Sequence, residues 1–144
     1  MKNTGEKKEE QVETISTTER NWAVICHLGV LMGILIPFVN FVLPLIILYL
    51  RKNDSEFVTF NARESLVFQC SIIIYVFLLI VFLLIFIIPE HLQIIFYSIF
   101  MFLIAFNVIM VLKASLSAYQ KKRFSYPLKI GLIKEIVIKL VENK

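Results

Sequence analysis

Asn21 to Leu50 reads NWAVICHLGVLMGILIPFVNFVLPLIILYL, thirty residues without a single Asp, Glu, Lys or Arg. Two further runs share that property: Ser65 to Pro89, 25 residues, and His91 to Leu112, 22 residues. About 20 apolar residues cross a bilayer core as a helix, so each run is long enough to do so. Over the 144 residues, 58% are hydrophobic and 18% charged, where a soluble domain carries about 25% charge. That composition excludes a secreted disulfide scaffold, a disordered chain and a soluble enzyme of this size. The chain reads as an integral membrane protein of the all-α class.

The charges between the runs set the expected topology. Four basic groups precede the first run, three lie between the first and second (Arg51, Lys52, Arg63), and eight follow from Lys113 onward, whereas the Pro89-Glu90-His91 turn has none. By the positive-inside rule both termini and the Arg51 to Arg63 loop are cytoplasmic, and the Glu90 turn is external. If both ends of the first run are inside, it must enter and return. Pro37-Phe38-Val39-Asn40 interrupts it and Pro44 follows; proline lacks a backbone donor and clashes with the preceding turn. A helical hairpin is therefore expected, with arms at 21–36 and 38–50 and a turn built by Pro37, Asn40 and Pro44. Arms of roughly 24 and 20 Å fall short of the roughly 30 Å core. A short spanning hairpin, a re-entrant pair and one long kinked span all remain open.

The remaining elements follow from local signals. Ser16-x-x-Glu19 has the spacing of a capping box ahead of Trp22, and Asn61-x-x-Glu64 reads as an N-cap signal before the second run, which Pro89 ends. Leu132, Ile133, Ile136, Val137 and Leu140 fall on one helical arc opposite Lys134, Glu135 and Lys139, the pattern of an interfacial amphipathic helix. The expected organisation is a disordered polar cytoplasmic tail over 1–18, a helical transmembrane domain over 19–120, and a basic juxtamembrane segment with an amphipathic helix over 121–144. In short, the sequence predicts a polytopic helical membrane protein: a short N-terminal hairpin, two full transmembrane helices and a C-terminal amphipathic helix.

Polar groups inside the apolar runs are costly and therefore candidates for function. His27, Gln69 and Asn107 lie at similar distances from the cytoplasmic ends of their runs and are expected to share one polar layer. Packing by interhelical hydrogen bonds is the favoured role for it, and a small pore the alternative. Gly29 and Gly33 let a second helix approach closely, within the chain or from another copy, and Ala114-x-x-x-Ala118 repeats the signal weakly. Lys113, Lys121, Lys122 and Arg123 form a basic patch suited to anionic lipid headgroups, which accounts for the net charge of +4 without nucleic acid. Cys26 and Cys70 sit on different runs near the reducing side and read as structural thiols. No metal-ligand spacing, phosphate loop or nucleophile elbow occurs, so neither catalysis nor a cofactor is expected. The expected partners are the lipid bilayer, anionic headgroups, and the chain itself or other membrane proteins.

Glu19 through Leu28, Ile36 through Asn40, Pro44-Leu45-Ile46, Phe57-Val58, Asn61 through Gln69 and Tyr126-Pro127-Leu128 together resemble a family of small bacterial membrane proteins. That family is described as similar to the Tic-twenty component of the chloroplast inner-envelope translocon. The resemblance covers roughly 19–130. It implies a compact helical domain in the inner membrane with cytoplasmic termini, and through the plastid relative a channel-like or protein-translocation part. It implies no catalytic residue.

Overall fold

The computed structural model describes residues 15–36, 38–86 and 89–142. Most of the expected polar tail (1–14) and Pro37 of the turn lie outside the described residues, as do the side chains of His91 and Leu140. Among the described residues five helices follow one another: α1 (Thr17–Leu28), α2 (Val39–Arg51), α3 (Glu56–Ile85), α4 (Glu90–Tyr119) and α5 (Gly131–Glu142). A 3-10 segment, Gly29–Ile34, extends α1. No strand occurs among the described residues.

The start of α1 is the capping box expected there: Glu19 N–H donates to Ser16 Oγ at 3.1 Å and Ser16 N–H donates to the Glu19 carboxylate at 2.7 Å. Hydrogen bonds from the Ser55 and Ser16 side chains and the Ser16 backbone hold the Glu19 carboxyl below its usual range. Ser55 is also the N-cap of α3, accepting Val58 N–H at 3.2 Å. This corrects the reading of Asn61-x-x-Glu64 as a cap, since both residues lie inside α3 and are buried. Cap spacing and the i, i+3 spacing of one helical face are the same, and here the second applies.

The first charge-free run turns back on itself, which excludes a single kinked span. Phe38 takes a left-handed backbone (φ 73°) at the start of α2. Asn40 and Pro44 lie within α2 and not in the turn; the buried Pro44 ring is tolerated because packing outweighs one missing backbone bond. The arms approach through glycine. A Cβ on Gly33 would meet Asn40 Cβ at 2.8 Å and Asn40 N at 3.3 Å, and one on Gly29 would collide with the end of the Leu43 side chain.

Packing is lopsided along the long helices. Every buried residue of α3 lies between Phe57 and Ile72, and among the described residues of α4 the buried ones are Val111, Ala114, Ser115 and Ala118. Against these halves lie the hairpin and α5: Cys26, Ile47 and Leu48 pack with Val58, Ala62, Leu66, Val67 and Val137, while Ala23 packs with Phe57 and Ala118. Ile133 and Val137 thus turn onto the bundle, leaving Leu132 and Ile136 of the same arc exposed. From Ile73 to Ile85 and from Glu90 to Met110 no described residue is buried. Toward Phe86 and Glu90 α3 and α4 have each other, as in the stacked Phe82 and Phe96 rings 5.3 Å apart.

The hairpin tip stops part-way along that pair. Gly33 and Asn40 line one cleft with Gln69, Ile104 and Asn107. Gln69 is five residues past Glu64 and Ile104 nine before Lys113, about 7 and 13 Å of helix rise inside the nearest charges. Half of a bilayer core is about 15 Å.

The two glycines differ in what opposes them, and this gives a stability test. Gly33→Ala meets a Cβ and backbone that cannot swing away and is expected to destabilise by about 1–3 kcal/mol. Gly29→Ala meets a flexible side-chain end and is expected to cost clearly less, by thermal unfolding in detergent followed by circular dichroism.

Candidate functional site

Inside the packed half, polar groups from three separate stretches converge. His27 on α1 is fully buried; its Nε2–H donates to Asn61 Oδ1 at 3.0 Å, and Asn61 Nδ2–H donates to the Phe57 carbonyl at 2.8 Å. Tyr126, in the segment between α4 and α5, sets its hydroxyl in hydrogen-bond contact with His27 Nδ1 at 3.0 Å. With one ring nitrogen facing an amide oxygen and the other a hydroxyl, a neutral imidazole protonated on Nε2 satisfies both contacts. Ser65 closes the contact by donating to the Cys26 carbonyl at 3.0 Å.

One helical turn further on, Glu64 performs the corresponding task with a charge. Its carboxylate accepts the Tyr126 backbone N–H at 3.2 Å and the Lys129 ammonium, which also donates to Ser125 Oγ at 2.8 Å. Both side chains of the pair are largely shielded, at 4% and 14% exposure, so neither charge is left unpaired away from water. Ser71 Oγ accepts Ile130 N–H at 3.0 Å and Tyr75 donates to the Leu128 carbonyl at 3.0 Å. Segment 124–130 is therefore strapped along α3 over nearly three turns. The Tyr126 ring stacks on Phe68 at 4.2 Å, and its burial and the Glu64 charge push the phenol's pKa upward.

The expected polar layer is divided. Gln69 and Asn107 do meet, exchanging amide hydrogen bonds at 3.0 and 3.4 Å, whereas His27 faces Asn61 and Tyr126. Equal depth was legible from the sequence, but the direction in which each side chain points was not. The Gln69–Asn107 pair and Asn40 line a half-open cleft of about 340 Å³ whose other walls include Val30, Leu31, Ile104 and Val108.

Sequence reasoning missed Asn61, Glu64, Ser65, Tyr126 and Lys129 as site residues. The available signal was the run Phe57, Asn61, Glu64 or Ser65, Phe68 and Ile72, a helical stripe carrying polar groups on an otherwise apolar face. Of the basic patch, Lys113, Lys121 and Lys122 are exposed, whereas Arg123 pairs with Glu56 at 2.9 Å and lies over the Phe60 ring. At the same end Arg20 covers Tyr119 and Arg51 covers Trp22. Cys26 and Cys70 are free thiols. Among the described residues no group of three or more His, Cys, Asp or Glu side chains is placed to hold a metal.

Two helices long and apolar enough to cross a bilayer, joined to a hairpin by a buried polar clamp, define a small all-helical membrane protein. The model of the magnetosome magnetite crystal formation protein family, MamF/MmsF, matches residues 18–133, and the chain belongs to that family. The matched range takes in the whole clamp, from His27 to Lys129. It is a small bacterial membrane family, and the match shows no similarity to the plastid translocon component. No curated protein and no solved structure matches the chain.

Removing one member of the clamp should expose its partners' need. Tyr126→Phe leaves His27 Nδ1 without a donor and is expected to cost about 1–3 kcal/mol. Lys129→Met strands Glu64 and is expected to cost about 3–5 kcal/mol, part of it recovered by adding Glu64→Gln. Denaturant unfolding in micelles reads both. In a cycle of Tyr126→Phe with His27→Leu the losses should fall short of additivity by about 0.5 kcal/mol or more; additive losses would dismiss the contact.

Proposed function

We propose that this chain is a non-enzymatic, multi-pass component of a bacterial inner membrane, with both termini cytoplasmic, acting through its outer surface by packing against lipid and other membrane proteins. The observation that carries this reading is the state of the clamp: both His27 nitrogens are engaged inside the fold and Glu64 is neutralised there by Lys129. The strongest acid and base candidates are thus occupied in holding helices together. Exposed Lys113, Lys121 and Lys122 suit anionic headgroups at the cytoplasmic face. The family description supplies the setting, formation of magnetite crystals in magnetosomes. In that setting the proposed role is to organise the membrane around the mineral compartment.

A second reading, a channel-like or translocation subunit of the Tic-twenty kind, is favoured by one observation: the half-open cleft lined by Asn40, Gln69 and Asn107 at membrane depth. Conductance or substrate flux through reconstituted protein, abolished by Asn107→Leu without loss of folding, would establish it. Absence of flux, with the variant merely less stable, supports the packing role.

Topology is tested at Asn53, exposed in the turn between α2 and α3. In a background with Cys26 and Cys70 replaced by alanine, Asn53→Cys should resist an impermeant thiol reagent added to intact cells and react after lysis. Labelling of intact cells would overturn the two-ends-in arrangement. Crosslinking in native membranes, followed by identification of captured proteins, is expected to return membrane partners reproducibly.

A further inference from the structure

The molecule is much broader at one end of its membrane-spanning pair than at the other. Beside Phe57–Ile72 of α3 and the last third of α4 stand both hairpin arms, the 124–130 strap and α5. Beyond Ile72 and before Val111 no described residue is buried; the strap still reaches Tyr75 and the hairpin still reaches Ile104, and past these α3 and α4 run on as a pair. At a helix diameter of roughly 10–12 Å, the broad half displaces at least about twice the area of the narrow one. The difference falls inside hydrocarbon. The hairpin tip exposes Leu35, Ile36 and Phe38, its second arm exposes Leu45, Ile46 and Leu50, and none of Asn21 to Leu50 is charged. These groups belong in acyl chains, and the cleft that Gly33 and Asn40 share with Gln69 and Ile104, about 7 to 13 Å of helix rise inside the nearest charges, sets the tip within the leaflet on the Asn53 side.

We propose that the chain is a curvature-selective wedge whose partner is a strongly bent bilayer, convex on the face that carries the Asn53 turn. A body that fills one leaflet more than the other is accommodated at least strain where that leaflet is already expanded, as amphipathic insertions that load a single leaflet are. With the cytoplasmic assignment made above, on which the cellular direction rests, the preferred surface bulges into the cytoplasm.

The test uses the full chain carrying Asn53→Cys in the cysteine-free background. It is reconstituted into phosphatidylethanolamine–phosphatidylglycerol vesicles from about 50 to about 400 nm in diameter. An impermeant dye marks molecules with the turn outside, and a second, permeant dye then marks the rest. Protein per unit lipid is read vesicle by vesicle. The expected result is a rise of about two-fold or more in turn-outside density from the largest to the smallest vesicles, with the opposite slope for turn-inside molecules. Flat densities, or slopes of the same sign, would overturn the proposal. A Leu35→Asn, Phe38→Asn tip variant should stay in the vesicles and lose the slope; an unchanged slope would remove the hairpin as the wedge. Because density is referred to the Asn53 face, a failed topology assay in cells leaves this result standing and reverses only the direction.

Discussion

Hydrocarbon offers no hydrogen-bond partner, and the arrangement of this molecule follows from how a few polar side chains at one end of the α3–α4 pair find partners in each other. Glu64 needs a cation and a donor, and both come from the 124–130 segment; His27 needs a donor and an acceptor, and takes them from Tyr126 and Asn61. Each contact joins stretches far apart in sequence. The segment after α4 is thereby folded back onto α3, and the hairpin is fixed to the same patch.

From that constraint comes the lopsided core. The polar groups sit in the first half of α3, so the elements that satisfy them gather there, and the hairpin needs to be only long enough to reach Gln69 and Asn107. Small residues make the gathering close: Ala23 and Ala118 let α1 lie against α4, and Gly29 and Gly33 let the hairpin arms touch. The outer halves of α3 and α4, which have each other as in the Phe82–Phe96 stack, carry mostly apolar side chains and no buried residue among those described. Membership in the MamF/MmsF family spans both parts of this arrangement.

Much of this was legible in the sequence because the deciding signals are local. Charge-free runs mark the long helices, the proline-bearing break marks the hairpin, and Ser16-x-x-Glu19 marks the start of α1. Signals that depend on distant partners were misread. Asn61 and Glu64 have the spacing of a cap, and only Tyr126 and Lys129, more than sixty residues later, give them another use. Pro44 suggests a turn because its effect on an isolated helix is adverse, while burial keeps it inside α2. His27 has the right depth for the Gln69–Asn107 layer and points elsewhere, since depth follows from counting residues and direction follows from packing.

Everything proposed of the hairpin requires that it end inside one leaflet, and its depth can be measured directly. A single tryptophan introduced as Leu35→Trp, with Trp22→Phe, reports position through quenching by lipids brominated at different depths. A hairpin that ends inside one leaflet gives strongest quenching by bromines deep on the acyl chains, near mid-bilayer, and none by aqueous iodide on either side. Strong quenching by iodide on the side opposite Asn53, or by bromines close to that headgroup layer, would show a hairpin that crosses the membrane and would contradict it.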